Sequence, residues 1–297
     1  MQDYRKYLIP QTVAQISNLE LIARLVVEGF ITGLHRSPYH GFSVEFAEHR
    51  QYRPGDETKN IDWRVYARTN KYYVKQFEEE TNLRAVIAID SSASMKYSSK
   101  GNISKFEYAI YLAAALGTLM VKQRDAVGLA MYDTDIVKYL PPKSKPSYIG
   151  EILKTLASTT PSNQTETSKA LDMLAERIKR RGLVIIMSDF LDNSESVINA
   201  LKHFRHRNHE VLAFQILDPR EIDFKLGQSA TFKDLESGEE MVTQPYHIQS
   251  SYSSAVCDFI NNIKHHCYNH NIDYNLIETS KPFDKALRDY LTKRRKI

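Results

Sequence analysis

The segment Val86–Ser94, VIAIDSSAS, decides the fold. It opens with four apolar residues and no polar alternation, a pattern typical of a strand buried on both faces in a parallel sheet. Asp90, Ser92 and Ser94 follow where this strand ends. In open α/β sheets, ligands bind beyond the carboxyl ends of the central strands. The segment therefore predicts a central strand with a binding site at its end.

The spacing DxSxS places one carboxylate and two hydroxyls on alternate residues of the loop after the strand. These are hard oxygen ligands of low total charge, which suit a magnesium-like ion that keeps some of its water. The alternative is that the same side chains cap the amino terminus of the next helix. The motif alone leaves both interpretations open.

Composition limits the class of protein. The chain has 297 residues, 42% of them hydrophobic, enough for one large domain or one domain that carries a smaller one. A net charge of +4 is too mild to indicate nucleic-acid binding by itself. No apolar run approaches the roughly 20 residues that cross a bilayer, and the first residues lack a signal-peptide core. We therefore expect no membrane span and a cytoplasmic protein, and the two cysteines exclude a disulfide framework.

From residue 83 onward, strand and helix patterns alternate. Strands are predicted at 183–187, 211–217 and 272–277, with a hairpin at 126–140, and helices at 105–124, 149–156, 168–179, 196–204, 251–270 and 284–295. This order predicts an α/β fold with a doubly wound, mostly parallel sheet and helices on both faces. The hairpin predicts an antiparallel strand at one edge.

The chain divides into three predicted parts. Residues 1–34 form a helical segment, with one amphipathic helix over 11–30. Residues 35–80 consist of short segments with turn signals such as Pro54-Gly55, which predict a small β-rich subdomain. Residues 81–297 form the main domain, interrupted at 218–246 by a hairpin that is a candidate second part of the small subdomain.

A second apolar strand, Leu183–Met187, also leads into an acidic residue, Asp189. If the two strands are neighbours, Asp90 and Asp189 lie side by side at the same sheet edge. A third oxygen ligand is then needed. The loop TTPSNQTETSKAL before the Asp189 strand offers Thr165 or Thr167.

Together these residues resemble the metal-ion-dependent adhesion site of von Willebrand factor A domains, a Rossmann-like fold. The resemblance implies that Ser92, Ser94 and Thr165 contact Mg²⁺ or Mn²⁺ directly, and that Asp90 and Asp189 act largely through water. An ion held mainly by neutral hydroxyls is short of negative charge and attracts an outside carboxylate. We therefore expect a client protein to supply an acidic residue to the metal.

Two positions depart from the pattern of that family. Asn163-Gln164 replaces a common glycine pair before the threonine, and Phe190 follows Asp189 where glycine is common. Their bulk is expected to narrow the site or to change its affinity for metal.

The segment before the sheet resembles bacterial von Willebrand factor A-like proteins of a domain-of-unknown-function family encoded beside MoxR-type AAA+ ATPases. The later segments DPREIDF, DLESGEE and FDKALRDYLTKRR resemble the same proteins. The matching residues before the sheet are Ser37, Gly41, Glu45, Phe46, Arg50, Tyr52, Gly55, Asp56, Ile61, Asp62, Trp63, Ala67 and Arg68. The resemblance implies an adaptor that serves such an ATPase in remodelling or maturing client proteins.

Five of these residues, Arg50, Asp56, Asp62, Trp63 and Arg68, are candidates for a surface that meets the ATPase. The competing interpretation is structural, with the tryptophan as a core anchor of the small subdomain and the charged residues paired with one another. We favour the structural interpretation, because a small subdomain needs such anchors.

The leading hypothesis is a non-enzymatic, metal-assisted protein-binding adaptor with no catalytic residues. The alternative is a metal-dependent hydrolase that uses Asp90 and Asp189. Against it, no histidine base or phosphate clamp is tied to the motif, and the chain lacks the GxxxxGK[ST] and GxSxG patterns. Nucleic-acid binding through the terminal TKRRKI is the least favoured hypothesis.

Overall fold

A computed structural model describes residues 9–16, 18–35, 49–51, 63–75, 83–161, 166–225, 230–233, 240–243 and 245–294. The strands are β1 (His49–Gln51), β2 (Tyr73–Lys75), β3 (Arg84–Asp90), β4 (Ala126–Tyr132), β5 (Ile136–Lys143), β6 (Leu183–Ser188), β7 (Glu210–Leu217), β8 (Ala230–Lys233), β9 (Glu240–Thr243) and β10 (Asp273–Glu278). The helices are α1 (Pro10–Val13), α2 (Leu19–His35), α3 (Trp63–Thr69), α4 (Lys105–Lys122), α5 (Tyr148–Ser158), α6 (Thr167–Arg177), α7 (Ser194–His206), α8 (Pro219–Asp223), α9 (Pro245–Asn269) and α10 (Asp284–Arg294). None of the described helices is long and apolar enough to span a bilayer.

Six strands form the central sheet in the order β10-β7-β6-β3-β4-β5. All neighbours are parallel except β4 and β5, which pair antiparallel at one edge. The predicted fold class, a doubly wound and mostly parallel α/β sheet with an antiparallel edge strand, is therefore confirmed. The strand of the opening segment, β3, lies between β6 and β4 in the middle of the sheet.

Alternate residues of β3 enter two separate apolar cores. Ile87 and Ile89 belong to the core that α2, α4, α5 and α10 cover, whereas Val86 and Ala88 belong to the core under α6, α7 and α9. A strand with both faces covered has no need of polar alternation, which explains its continuous apolar sequence.

The amino-terminal helix is part of the main core. Among the α2 side chains that the structure describes, the buried ones are Ile22, Ala23, Val26, Val27 and Phe30, and the helix packs on α4. The single helix predicted over 11–30 is instead two helices. The Asn18 side chain accepts a hydrogen bond from the Leu21 amide at 3.1 Å, so it caps α2 and makes a new start there.

The region before the sheet, predicted to be a small β-rich subdomain, contains a helix, α3. Its described strands, β1 and β2, are short and pair antiparallel. The structural interpretation of Trp63 as a core anchor is wrong, because the residue begins α3 with 58% of its surface exposed. Its ring packs edge-on against the Tyr66 ring, with the centroids 6.1 Å apart. The Tyr66 ring in turn stacks on the Tyr72 ring, with the centroids 4.5 Å apart.

Of the four other candidate residues for the partner surface, the structure describes two. Arg50 pairs with Val74 through the backbone of β1, and Arg68 is exposed in the last turn of α3. Asp56 and Asp62 lie outside the described residues, so their predicted ion pairs are untested. The hairpin predicted within 218–246 is present as β8 and β9, a two-stranded antiparallel sheet of its own.

Two glycines provide a matched test of packing. A Cβ on Gly128 in β4 would lie 2.6 Å from the Leu140 carbonyl oxygen of β5, whereas a Cβ on Gly150 in α5 would meet nothing within 4 Å. We expect Gly128→Ala to lower the free energy of unfolding by about 1–3 kcal/mol through overpacking. Gly150→Ala should raise it by about 0.5–1 kcal/mol through helix propensity. Urea unfolding measures both, and equal effects would contradict the close approach of the two strands.

Candidate metal-binding site at the carboxyl edge of the sheet

The structure brings the two predicted strand ends together. β3 and β6 are parallel neighbours, with Ile89 opposite Met187. The hydroxyl of Ser188 donates to Asp90 Oδ2 at 2.7 Å, so this hydrogen bond joins the last residues of the two strands. Asp90 and Asp189 are both buried at this edge.

Asp90 is held on both carboxylate oxygens. Its Oδ1 accepts a hydrogen bond from the Ser92 amide at 2.9 Å, and Oδ2 accepts the bond from Ser188. Burial, followed by the negative charge of Asp189, raises the pKa of Asp90 to about 7. A carboxylate in this environment is stabilised by a nearby cation, because desolvation and like charge both disfavour its ionised form.

The two serine hydroxyls converge as the DxSxS spacing predicts. Ser92 Oγ lies 3.0 Å from Ser94 Oγ at the start of a short 3-10 turn, Ser94–Lys96. The alternative interpretation, that this motif caps the next helix, is wrong. Helix α4 is capped instead by Ser104, which forms a reciprocal capping box with Glu107.

Of the two candidate threonines, one is described. Thr165 lies outside the described residues, as do Asn163 and Gln164. Thr167 is the first residue of α6, fully buried, and its hydroxyl makes no hydrogen bond to any described group. Because α6 leads into the parallel strand β6, it begins at the carboxyl edge of the sheet. A buried hydroxyl without a partner is costly, so Thr167 is suited to a ligand there.

Lys105, the first residue of α4, was not predicted as part of the site. This side chain is fully buried, with Nζ 2.7 Å from Asp189 Oδ2 and 2.6 Å from Glu221 Oε1. Burial lowers the pKa of Lys105, but the two carboxylates outweigh it and hold that pKa above its ordinary value. A lysine in the first turn of a helix is unfavourable to the helix dipole. This unfavourable position was the one sign in the sequence that Lys105 has a buried acidic partner.

The lysine connects the site to α8. The backbone amide and the hydroxyl of Ser99 donate to Asp218 Oδ2 at 2.9 and 3.0 Å. Asp218 caps α8, and its amide donates to Glu221 Oε2 at 2.8 Å. The segment DPREIDF thus stabilises the loop after β3 and supplies the second carboxylate to Lys105.

The charges at this edge leave room for a divalent cation. Asp90, Asp189 and Glu221 supply three carboxylates against the ammonium of Lys105, so these four groups have a formal charge of −2 when ionised, and the buried Asp218 beside them adds a further carboxylate. Hydroxyls from Ser92, Ser94 and Thr167 add neutral oxygen donors. In the described part of the chain, no group of three or more His, Cys, Asp or Glu residues is arranged to hold a metal. Binding of Mg²⁺ therefore needs these hydroxyls, and the residues present fit such an ion.

Phe190 has a left-handed backbone conformation, which glycine adopts more readily than other residues. Its φ of 55° lies in the left-handed region, which a Cβ disfavours. Its amide donates to Ser188 Oγ at 2.9 Å, and its ring is fully buried in the core under α6 and α7. Burial of the aromatic ring thus stabilises the core and offsets the free-energy cost of the left-handed backbone.

The comparisons with known proteins identify the family. A family model described as a protein of unknown function, DUF58, matches residues 48–258. The chain belongs to the DUF58 family. It is 29% identical over 234 residues to an uncharacterized protein of Mycobacterium bovis, an alignment that covers 77% of this chain and 72% of that protein. An uncharacterized protein of Mycobacterium tuberculosis matches to the same extent.

Several solved structures are similar to this DUF58 protein at low sequence identity. An aerotolerance-related membrane protein from Bacteroides fragilis is 17% identical, with a TM-score of 0.50 over 72% of this chain and 100% of that one. BatB from Bacteroides thetaiotaomicron is also 17% identical, with a TM-score of 0.48 over 72% and 99% of the two chains. The SpRpn10 VWA domain is 13% identical, with a TM-score of 0.40 over 69% and 94%.

The strain at Phe190 of this DUF58 protein is testable with two variants. Phe190→Ala and Phe190→Gly both remove the ring, which costs about 3–5 kcal/mol of unfolding free energy. Only glycine also relieves the left-handed backbone, so the glycine variant should be more stable than the alanine variant by about 1 kcal/mol. Urea unfolding compares them. Greater stability of the alanine variant would contradict the strained conformation.

The buried ammonium gives a second prediction. Lys105→Met leaves Asp189 and Glu221 buried without a cation, so the free energy of unfolding should fall by about 3–5 kcal/mol. The matched control adds Asp189→Asn and Glu221→Gln to the same variant. Because it contains no unpaired charge, it should recover much of the loss. Chemical denaturation measures both, and a loss below about 1 kcal/mol in the single variant would contradict the ion-pair network.

Proposed function

We propose that this protein is a non-enzymatic adaptor that binds other proteins through a metal ion at the carboxyl edge of its sheet. The observation that carries this proposal is the convergence of the Ser92 and Ser94 hydroxyls at 3.0 Å beside the buried carboxylate of Asp90. Oxygen donors of this kind suit Mg²⁺ or Mn²⁺. The site would take a carboxylate from a client protein as its remaining ligand.

Each residue has a defined part in this proposal. Ser92, Ser94 and a threonine, Thr165 or Thr167, would hold the ion directly, with Asp90 and Asp189 acting through water. The bound ion supplies a positive charge that attracts an external anion. The hydrogen bonds from Ser92 and Ser188 fix the orientation of the Asp90 carboxylate.

Lys105 makes the proposed site more receptive to a partner. Its ammonium neutralises Asp189 at 2.7 Å, so this carboxylate offers the ion less negative charge. An ion that is under-compensated by its own protein binds an outside carboxylate more strongly. The ion pair thus favours recognition of an acidic partner residue.

The proposed partner that drives this adaptor is a MoxR-type AAA+ ATPase, with which it would remodel or mature client proteins in the cytoplasm. The resemblance of the segment before the sheet to proteins encoded beside such ATPases supports this choice. The exposed ring of Trp63 on α3 also supports a contact surface, because tryptophan often dominates the binding energy of interfaces. Arg50, Asp56, Asp62 and Arg68 complete the proposed surface.

No observation favours the alternative hydrolase. In the described part of the chain, the groups that contact Asp90 and Asp189 are serine hydroxyls, backbone amides, the side-chain amide of Gln215 on the Asp189 carbonyl and Lys105. The ammonium of Lys105 is already shared between two carboxylates and does not act as a base.

Metal binding and partner binding are tested together. We expect Mg²⁺ to raise the melting temperature of the wild type by several degrees at concentrations well above its Kd. The double variant Ser92→Ala, Ser94→Ala should lose this shift. An acidic peptide, which stands in for the client carboxylate, should be captured in Mg²⁺ but not in EDTA, and not by Asp90→Ala. A purified MoxR-type ATPase, which the Trp63 surface is proposed to contact, should be captured in both conditions.

Trp63→Ala serves as the control, because it should keep the thermal shift while weakening capture of the ATPase. Capture of the acidic peptide that is indifferent to both Mg²⁺ and Asp90→Ala would remove the metal from the mechanism. Failure of the wild type to capture the ATPase at all would remove this partner.

A further inference from the structure

A separate cavity of about 260 Å³ lies at the opposite, amino edge of the sheet. It is lined by the first residues of β3 and β6, the carboxyl half of β5 and the segment that follows α6. Along β3, Arg84 and Asp90 are separated by six residue steps, which at about 3.3 Å each is about 20 Å. The cavity is therefore distinct from the proposed metal site.

Four cationic side chains line this cavity, which we call the basic cavity: Arg84, Arg177, Lys179 and Arg180. None of them forms an ion pair with a carboxylate of the described residues. Arg177 lies over the ring of Tyr139 at 4.8 Å, and Arg84 donates a long hydrogen bond of 3.5 Å to the Pro142 carbonyl. The positive charge is therefore not neutralised within the described structure.

Nearby carboxylates are already engaged by other cations. Glu176 binds Arg207 at 2.7 Å and His203 at 3.1 Å. Glu210 binds Arg205 and Lys293, each at 2.7 Å. Since these two glutamates are ion-paired with other cations, they do not neutralise the basic cavity. An anion from outside the chain can therefore bind there.

A buried histidine lines the same cavity, and its ring is held by hydrogen bonds with the backbone of Ile178 and Gly182. His209 has only 1% of its surface exposed, and its Nδ1 makes no hydrogen bond to any described group. A buried ring nitrogen without a partner is costly unless a ligand or water supplies one. The Nδ1 atom is therefore available to hydrogen-bond an occupant of the basic cavity.

The rest of the lining limits the size and chemistry of that occupant. Val86, Pro141, Pro142 and Ile178 form apolar walls between the cationic groups. The volume is near the lower limit for small-molecule sites, which begin at about 300 Å³. Guanidinium groups match the geometry of phosphate. A phosphate group has a charge of up to about −2, so it can pair with several cations at once.

We infer that the basic cavity binds a phosphate group carried by a small molecule with a compact apolar body. The arginines hold the phosphate, the proline and aliphatic walls hold the body, and His209 provides a buried hydrogen-bonding atom. This inference does not depend on the proposed metal site or on the adaptor function.

Calorimetric titration of the full chain tests the inference with three probes: phenyl phosphate, inorganic phosphate and phenol. We expect phenyl phosphate to bind at least about tenfold more tightly than phenol, since the charged hydrogen bonds supply most of the affinity. Arg177→Gln and Arg180→Gln should each weaken its binding about tenfold. Inorganic phosphate that binds as tightly as phenyl phosphate would overturn the apolar body as part of the inference, because the walls would then add no affinity.

Two control variants accompany the titration. Lys154→Gln removes an exposed lysine of α5 that does not line the cavity, and Asp90→Asn alters only the metal site. Both should bind phenyl phosphate like the wild type, and melting curves verify that every variant is folded. Absence of phenyl phosphate binding to the wild type, or binding that survives both arginine substitutions, would overturn the inference. Preferential binding of a single-stranded oligonucleotide, with steep salt dependence, would also overturn it.

Discussion

The carboxyl edge of the sheet depends on one buried ammonium. Lys105 is the first residue of α4 and contacts both Asp189, which follows β6, and Glu221 in α8. Three separate parts of the chain therefore meet at one cation. The desolvation cost of the lysine is met only while both carboxylates stay in place, so the position of the loop after β6 is linked to that of α8.

Because of this linkage, the two neighbouring carboxylates, Asp90 and Asp189, are in different electrostatic environments. Asp189 is paired with a permanent cation, whereas Asp90 is held by hydrogen bonds from neutral donors, and its pKa is raised to about 7. Of these two carboxylates, Asp90 is therefore the one that a bound cation would stabilise more. That is the carboxylate beside the serine hydroxyls, where the oxygen donors converge.

The elements that follow from short-range patterns were predictable from the sequence. Continuous apolar segments gave β3 and β6, and their acidic ends placed Asp90 and Asp189 at one edge. Lys105 was not predictable, because its partners are 84 and 116 residues away in the chain. The positive φ of Phe190 and the exposure of Trp63 likewise depend on tertiary context, which overrides residue preference. The basic cavity was missed for the same reason, since β3, β5 and the end of α6 meet only after folding.

The edge strand β5 determines where the sheet stops. Two consecutive prolines, Pro141 and Pro142, have no amide hydrogen to donate, and lysines stand at Lys138 and Lys143 in the same strand. Such an edge resists pairing with a strand of another molecule. The chain is therefore protected against uncontrolled edge-to-edge assembly on that side, and any specific association there has to use side chains instead of a shared backbone ladder.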